Sequence, residues 1–128
     1  MLADSPAFSG FSVHDPDAAK AFYTDTLGIP VEDRPGGMFT LKLARDRDTL
    51  VYPSPNHAPA SYTVLNFPVP DIEAAVDELA RRGVAFEKYE GTPMATDAKG
   101  IFRAGGPLIA WFTDPAANIL SVLEDPDQ

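Results

Sequence analysis

Two stretches of alternating residues, each followed by a helical rhythm, organise this chain. Residues 7–13 place Phe11 and Val13 on one face and Phe8, Gly10 and Ser12 on the other, which predicts a strand. Asp15 then offers a carboxylate to the unsatisfied N–H groups of a helix start, and Pro16 fits the first helical position, where no N–H is needed. Ala19, Phe22, Tyr23 and Thr26/Leu27 recur on one helical face, and Gly28 suits the left-handed residue that ends a helix. Three more strands are predicted over 29–33, 38–43 and 49–52, separated by turns at Pro35-Gly36-Gly37 and Arg45-Asp46-Arg47-Asp48.

The same plan returns after a proline-rich connector at 53–60. Residues 61–69 read as a strand, and Asp71 caps a helix with Ile72, Ala75, Val76 and Leu79 on one face. Arg81 and Arg82 occupy its last turn, where cations suit the helix dipole, and Gly83 ends it. Strands are predicted over 84–89, 108–113 and 119–123. Residues 90–102 lack periodicity and form the candidate flap. Each half is therefore βαβββ, with one module at about 7–53 and the other at about 61–124. The expected fold class is α+β: two tandem modules in a single domain over 1–128, forming a curled mixed sheet around a cleft.

Composition narrows the chemistry. The absence of cysteine excludes disulfides, thiolate metal sites and cysteine nucleophiles. A formal net charge of -9 argues against nucleic acid, whose phosphates call for Lys/Arg patches, and leaves room for a cationic ligand. No apolar run approaches the length of a membrane helix, and Met1–Pro6 has neither region of a signal peptide. A cytoplasmic protein with no membrane partner is expected.

Three segments carry a family resemblance: Val13-His14-Asp15 leading to Ala21-Phe22-Tyr23 and Leu27-Gly28; Val69-Pro70-Asp71 leading to Leu79 and Arg82-Gly83-Val84; and Trp111-Phe112-Thr113-Asp114-Pro115-Ala116-Ala117-Asn118. In this order they resemble the vicinal oxygen chelate superfamily, which includes glyoxalase I, bleomycin-resistance proteins and extradiol dioxygenases. The resemblance implies paired βαβββ modules around a concave site, and a homodimer.

Catalytic members hold a divalent metal with His and Glu, and the resemblance places the ligand positions at Phe8, Val64 and Ser121. Phe and Val have no donor atom, and a Ser hydroxyl is a poor ligand. Shifting the count by one residue brings in no imidazole or carboxylate. Glu124 lies three residues too late and is expected at the surface. His14 and His57, the only histidines, are expected as exposed loop residues. No metal and no other cofactor is expected.

Strand parity then assigns the cleft lining. Phe8, Gly10 and Ser12 form one wall with Val64 and Asn66, and Ser121 and Leu123 belong to another. Tyr52 and Trp111 are further contributors. The lining is mostly apolar with a few hydroxyls and one carboxamide, which fits a small, partly aromatic molecule. Lys99 and Arg103 offer two cations that could clamp an anionic group, with an ordinary exposed loop favoured. No catalytic residue is identified, so whether the chain is an enzyme stays open. The expected function is metal-free binding of a small, partly apolar molecule between the modules. The alternatives are a metal-dependent lyase, isomerase or dioxygenase, of the lactoylglutathione-lyase kind, or a metal-free isomerase.

Overall fold

The computed structural model describes residues 1–93 and 95–127. Met94 and Gln128 lie outside them, so the flap expectation is tested only on the remainder of 90–102. The chain divides into two compact units, Met1–Ala58 and Pro59–Gln128, and the division falls inside the proline-rich connector. Each unit carries a four-stranded sheet, and neither sheet closes on itself. The fold is α+β with two βαβββ modules.

In the first unit, β1 (Ser9–Val13), β2 (Val31–Asp33), β3 (Phe39–Leu41) and β4 (Thr49–Pro53) assemble in the order β1-β4-β3-β2. β1 runs parallel to β4, and the other pairings are antiparallel. Helix α1 (Pro16–Ala21) starts as the sequence predicts: Asp15 accepts from the N–H groups of Asp17 and Ala18. Such a cap contributes about 1 kcal/mol. The helix then widens into a π turn over Phe22–Thr26, in which Leu27 N donates to Phe22 O at 3.0 Å. The Thr24 hydroxyl donates to Lys20 O within this stretch, a side-chain bond that competes with the regular ladder. Ala19 and Tyr23 are fully buried in a core with Phe11, Val13, Phe39, Leu41 and Val51, and the Tyr23 and Phe11 rings lie 6.0 Å apart. α1 packs on β4, so these residues mark the helix-covered face of the sheet.

In the second unit, β5 (Thr63–Val69), β6 (Ile101–Phe102), β7 (Ile109–Thr113) and β8 (Ile119–Glu124) take the order β5-β8-β7-β6. β5 is parallel to β8, which repeats the arrangement of β1 and β4. Helix α2 (Ile72–Arg81) packs on β7 and β8 and buries Ile72 and Val76. Ile101, Ala110, Phe112, Leu120 and Val122 complete that core. Glu124 is not simply a surface group near the chain end. It is half-buried, and its carboxylate accepts from Ile72 N at 3.3 Å, adding a second acceptor to the helix start that Asp71 caps.

One predicted strand is displaced. Residues 84–89 form no ladder; only Glu87 N reaches β7, donating to Trp111 O at 2.8 Å. The adjoining stretch of that edge belongs to β6, where Ile101 faces Ala110 and Phe102 faces Ile109. Phe86 instead packs edge-on against Phe112. Gly100 makes room for it: a Cβ there would lie 2.6 Å from Phe86 Cβ. Two segments thus share one strand edge, and alternation in the sequence does not decide which supplies the ladder.

Candidate ligand face

Within each unit, alternation along the sheet gives a face opposite the one its own helix packs on, and Gly10, Ser12, Tyr52, Asn66, Trp111, Ser121 and Leu123 fall there. In the first unit, Gly10 is opposite Leu50 and Ser12 opposite Tyr52, so these four share the helix-free face with Thr40, the partner of Leu50. A Cβ at Gly10 would approach Leu50 O to 2.9 Å, so only glycine lets β1 lie this close to β4 there. Thr40 is buried, and its hydroxyl accepts from Arg34 Nε at 3.1 Å. Phe8 lies just before β1 and is 70% exposed, so it forms no packed wall within its unit.

In the second unit, Asn66, Ser121 and Trp111 occupy one row across β5, β8 and β7. Leu123 follows in the next row, between Pro68 and Ile109. Ser121 is fully buried, and its hydroxyl donates to Asn66 Oδ1 at 2.6 Å. Trp111 is half-buried between two aromatic rings, Tyr89 at 5.5 Å and Phe102 at 6.0 Å. Edge-on and tilted contacts of this kind suit the ring quadrupoles. Burial, together with the charge of Glu87, pushes the Tyr89 phenol above its ordinary value and keeps it neutral. Val64 falls at a register irregularity between Thr63 and Leu65, so the regular ladder gives it no partner.

The structure brings together two residues that sequence reasoning kept apart. His57 turns back from the connector, with Nδ1 2.6 Å from Ser12 Oγ. The His14 ring stacks on it at 6.0 Å, with 25° between the planes. His57 is therefore not an isolated loop residue, and His14, although exposed, has an aromatic neighbour. The readable signal was the proline density of the connector, which limits how far His57 can stray from the end of β1. Tyr89 and Phe102 were also missed, because both lie in the segment whose pairing the sequence misplaces.

The anion clamp does not form. Lys99 pairs with Asp77 at 3.1 Å, and Arg103 pairs with Asp97 at 2.8 Å and with Glu73 at 3.3 Å. Both cations serve an ion-pair network that ties the approach to β6 onto α2. Burial pulls the Asp97 carboxyl up, but Arg103 and the N–H groups of Ile101 and Lys99 outweigh it and hold the carboxyl below the usual range.

A metal centre of the kind found in catalytic relatives does not fit these residues. Phe8 and Val64 offer no lone pair, and the Ser121 hydroxyl is committed to Asn66. Among the described residues, no three His, Cys, Asp or Glu side chains cluster so as to hold an ion. No helix among them is long and apolar enough to cross a membrane.

Comparison with known proteins places this geometry in a family. None of the curated proteins searched matches the chain significantly. Among solved structures, TnmS3, an antibiotic binding protein from Streptomyces sp. CB03234, is 25% identical, with a TM-score of 0.66 over 94% of this chain and 97% of its own. A glyoxalase family protein from Enterococcus faecalis is 23% identical, with a TM-score of 0.66 over 97% of this chain and 100% of its own. The fosfomycin resistance protein FosX from Listeria monocytogenes is 14% identical, with a TM-score of 0.67 over 95% of this chain and 93% of its own. The two less similar structures share the fold alone. The model of the Glyoxalase/Bleomycin resistance protein/Dioxygenase superfamily matches residues 9–122, and the chain belongs to that superfamily.

Proposed function

We propose that this protein binds a small, partly apolar molecule on the helix-free faces of its sheets, without a metal, and acts as a homodimer. The observation that carries this reading is the row Asn66–Ser121–Trp111. It sets a half-buried indole beside a fixed carboxamide–hydroxyl pair, on the sheet face opposite the one α2 packs on. An aromatic wall with one or two oriented polar groups suits a flat ligand bearing a hydrogen-bonding substituent. The antibiotic-binding activity of TnmS3, at 25% identity, supports the same ligand class. The metal-dependent alternative lacks its donor atoms.

Trp111 is the only tryptophan in the chain, so its fluorescence reports on this face alone. Acridine orange and anthraquinone-2-sulfonate are fused-ring probes of opposite charge. Titration with each, paired with thermal shifts in the presence and absence of nickel, zinc and manganese, tests the reading. Saturable quenching accompanied by a rise in Tm, independent of metal, is expected. A Tm rise only with metal would favour the enzymatic alternative, and no response to either probe would count against a ligand of this class.

A further inference from the structure

The chain has two histidines: one, His57, reaches a hydroxyl of the first unit, and the other, His14, stacks on it. Backbone bonds hold the connector in place: Ser54 N donates to Val13 O at 2.9 Å, and His57 N donates to Ser54 O at 3.2 Å. The resulting turn aims the His57 ring back over β1. Its Nδ1 lies 2.6 Å from Ser12 Oγ, at the short end of the hydrogen-bond range. The His14 ring stacks on the same imidazole at 6.0 Å. Ser12 is half-buried on the helix-free face, with Tyr52 beside it in register. A hydroxyl in hydrogen-bond reach of an imidazole that a third group orients is the arrangement by which proteins activate a serine.

We propose that Ser12 is a nucleophile activated by His57, and that it accepts the acyl group of a small activated ester on the helix-free face of the first unit. In the Nε2–H tautomer, the Ser12 hydroxyl donates to the Nδ1 lone pair. On attack, the Oγ–acyl carbon bond forms and the hydroxyl proton passes to Nδ1. The ester's C–O bond breaks, its electron pair leaves with the alkoxide or phenolate, and the imidazolium returns the proton to it. Water then attacks the acyl-serine and gives its proton to Nδ1. The carboxylic acid leaves, and Ser12 recovers its proton. General-base assistance of this kind contributes about 10²–10⁴-fold. His14 is a positioning residue: its ring stacks on His57 and holds the plane of that imidazole. The activity is independent of the aromatic row in the second unit and survives if that row binds nothing.

A fluorophosphonate probe tests it on the full chain, because the same attack forms an Oγ–P bond, expels fluoride and sends the proton to His57. Intact mass and peptide mapping are expected to show one adduct, on Ser12. Ser12→Ala should abolish it, and His57→Gln should slow it by about 100-fold or more. His14→Ala should also slow labelling, and His14→Phe, which keeps a stacking ring, should restore it. Exposed Ser9 in the wild-type chain supplies an internal reference that needs no variant. Labelling of Ser12 no faster than Ser9 would overturn the proposal, as would equal labelling of a folded His57→Gln protein.

Discussion

The Ser121 hydroxyl donates to Asn66 Oδ1 across the β5–β8 pairing, linking a fully buried residue to an exposed one. The bond fixes the Asn66 carboxamide on the sheet face beside Trp111. Ser121→Ala is therefore expected to lower stability by only about 1 kcal/mol, since the freed Asn66 oxygen can meet water. Its larger effect should be on recognition: the variant should bind fused-ring probes about tenfold more weakly by Trp111 quenching. An unchanged affinity would separate Asn66 from the ligand.

Gly10→Ala is expected to destabilise the first unit by about 1–3 kcal/mol. The added methyl would meet Leu50 O at 2.9 Å and Leu50 Cβ at 3.3 Å, so β1 and β4 would have to part. Urea unfolding measures the change. A neutral substitution would show that the strand pair yields easily.

The Asp114–Asn118 turn makes a sharper prediction. The buried Asp114 carboxylate accepts from Ala116 N, Asn118 N and Asn118 Nδ2. Ala117, between them, is held at φ 64°. Asp114→Ala should cost at least about 2 kcal/mol, because those buried donors lose a charged acceptor. Ala117→Gly should instead raise the Tm, since glycine adopts positive φ without the Cβ penalty of about 1–2 kcal/mol. Calorimetry on the two variants should show opposite signs.

Acid should release the ion-pair network on α2. The folded carboxyl of Asp97 lies below its unfolded value, so its contribution is complete above the ordinary aspartate value of about 3.9 and is lost as pH falls through the folded one. Asp97→Asn should therefore lower the Tm at neutral pH, and the difference from wild type should shrink toward zero at the acid end. A constant difference across that range would place the effect elsewhere.

Protein dialysed against a chelator should keep its Tm, and added nickel, zinc or manganese should not raise it. Ligand linkage gives about 2.7 kcal/mol at a hundredfold excess over Kd, so a genuine site would be plain in the melting curve. One transition metal retained per chain would contradict the argument from Phe8, Val64 and Ser121.

Local chemistry made most of the fold legible. Asp15, Pro16 and Gly28 bracket the first helix, and Asp71 and Gly83 bracket the second, because caps and positive-φ glycines act within a few residues. Strand alternation also put Gly10 and Ser12 on one face of β1, as its ladder with β4 does. The π turn at Phe22–Thr26 was not legible, since its side chains keep a nearly helical spacing. Competition between 84–89 and Ile101–Phe102 for the edge of β7 was not legible either, because Ile101–Phe102 ends a stretch without periodicity and the outcome depends on contacts distant in sequence. His57 meeting Ser12 is a third such case, a contact 45 residues apart in the chain.

The divided edge of β7 has a further consequence. The chain leaves that edge at Glu87 and returns to it at Ile101, and Thr96 N closes the neck of the excursion by donating to Lys88 O at 2.9 Å. Both anchor points are set by β7 rather than by the number of residues between them. Segments of other lengths could be grafted at this position without moving any strand out of register, which makes it a natural place to lengthen or exchange sequence when engineering the protein toward new ligands.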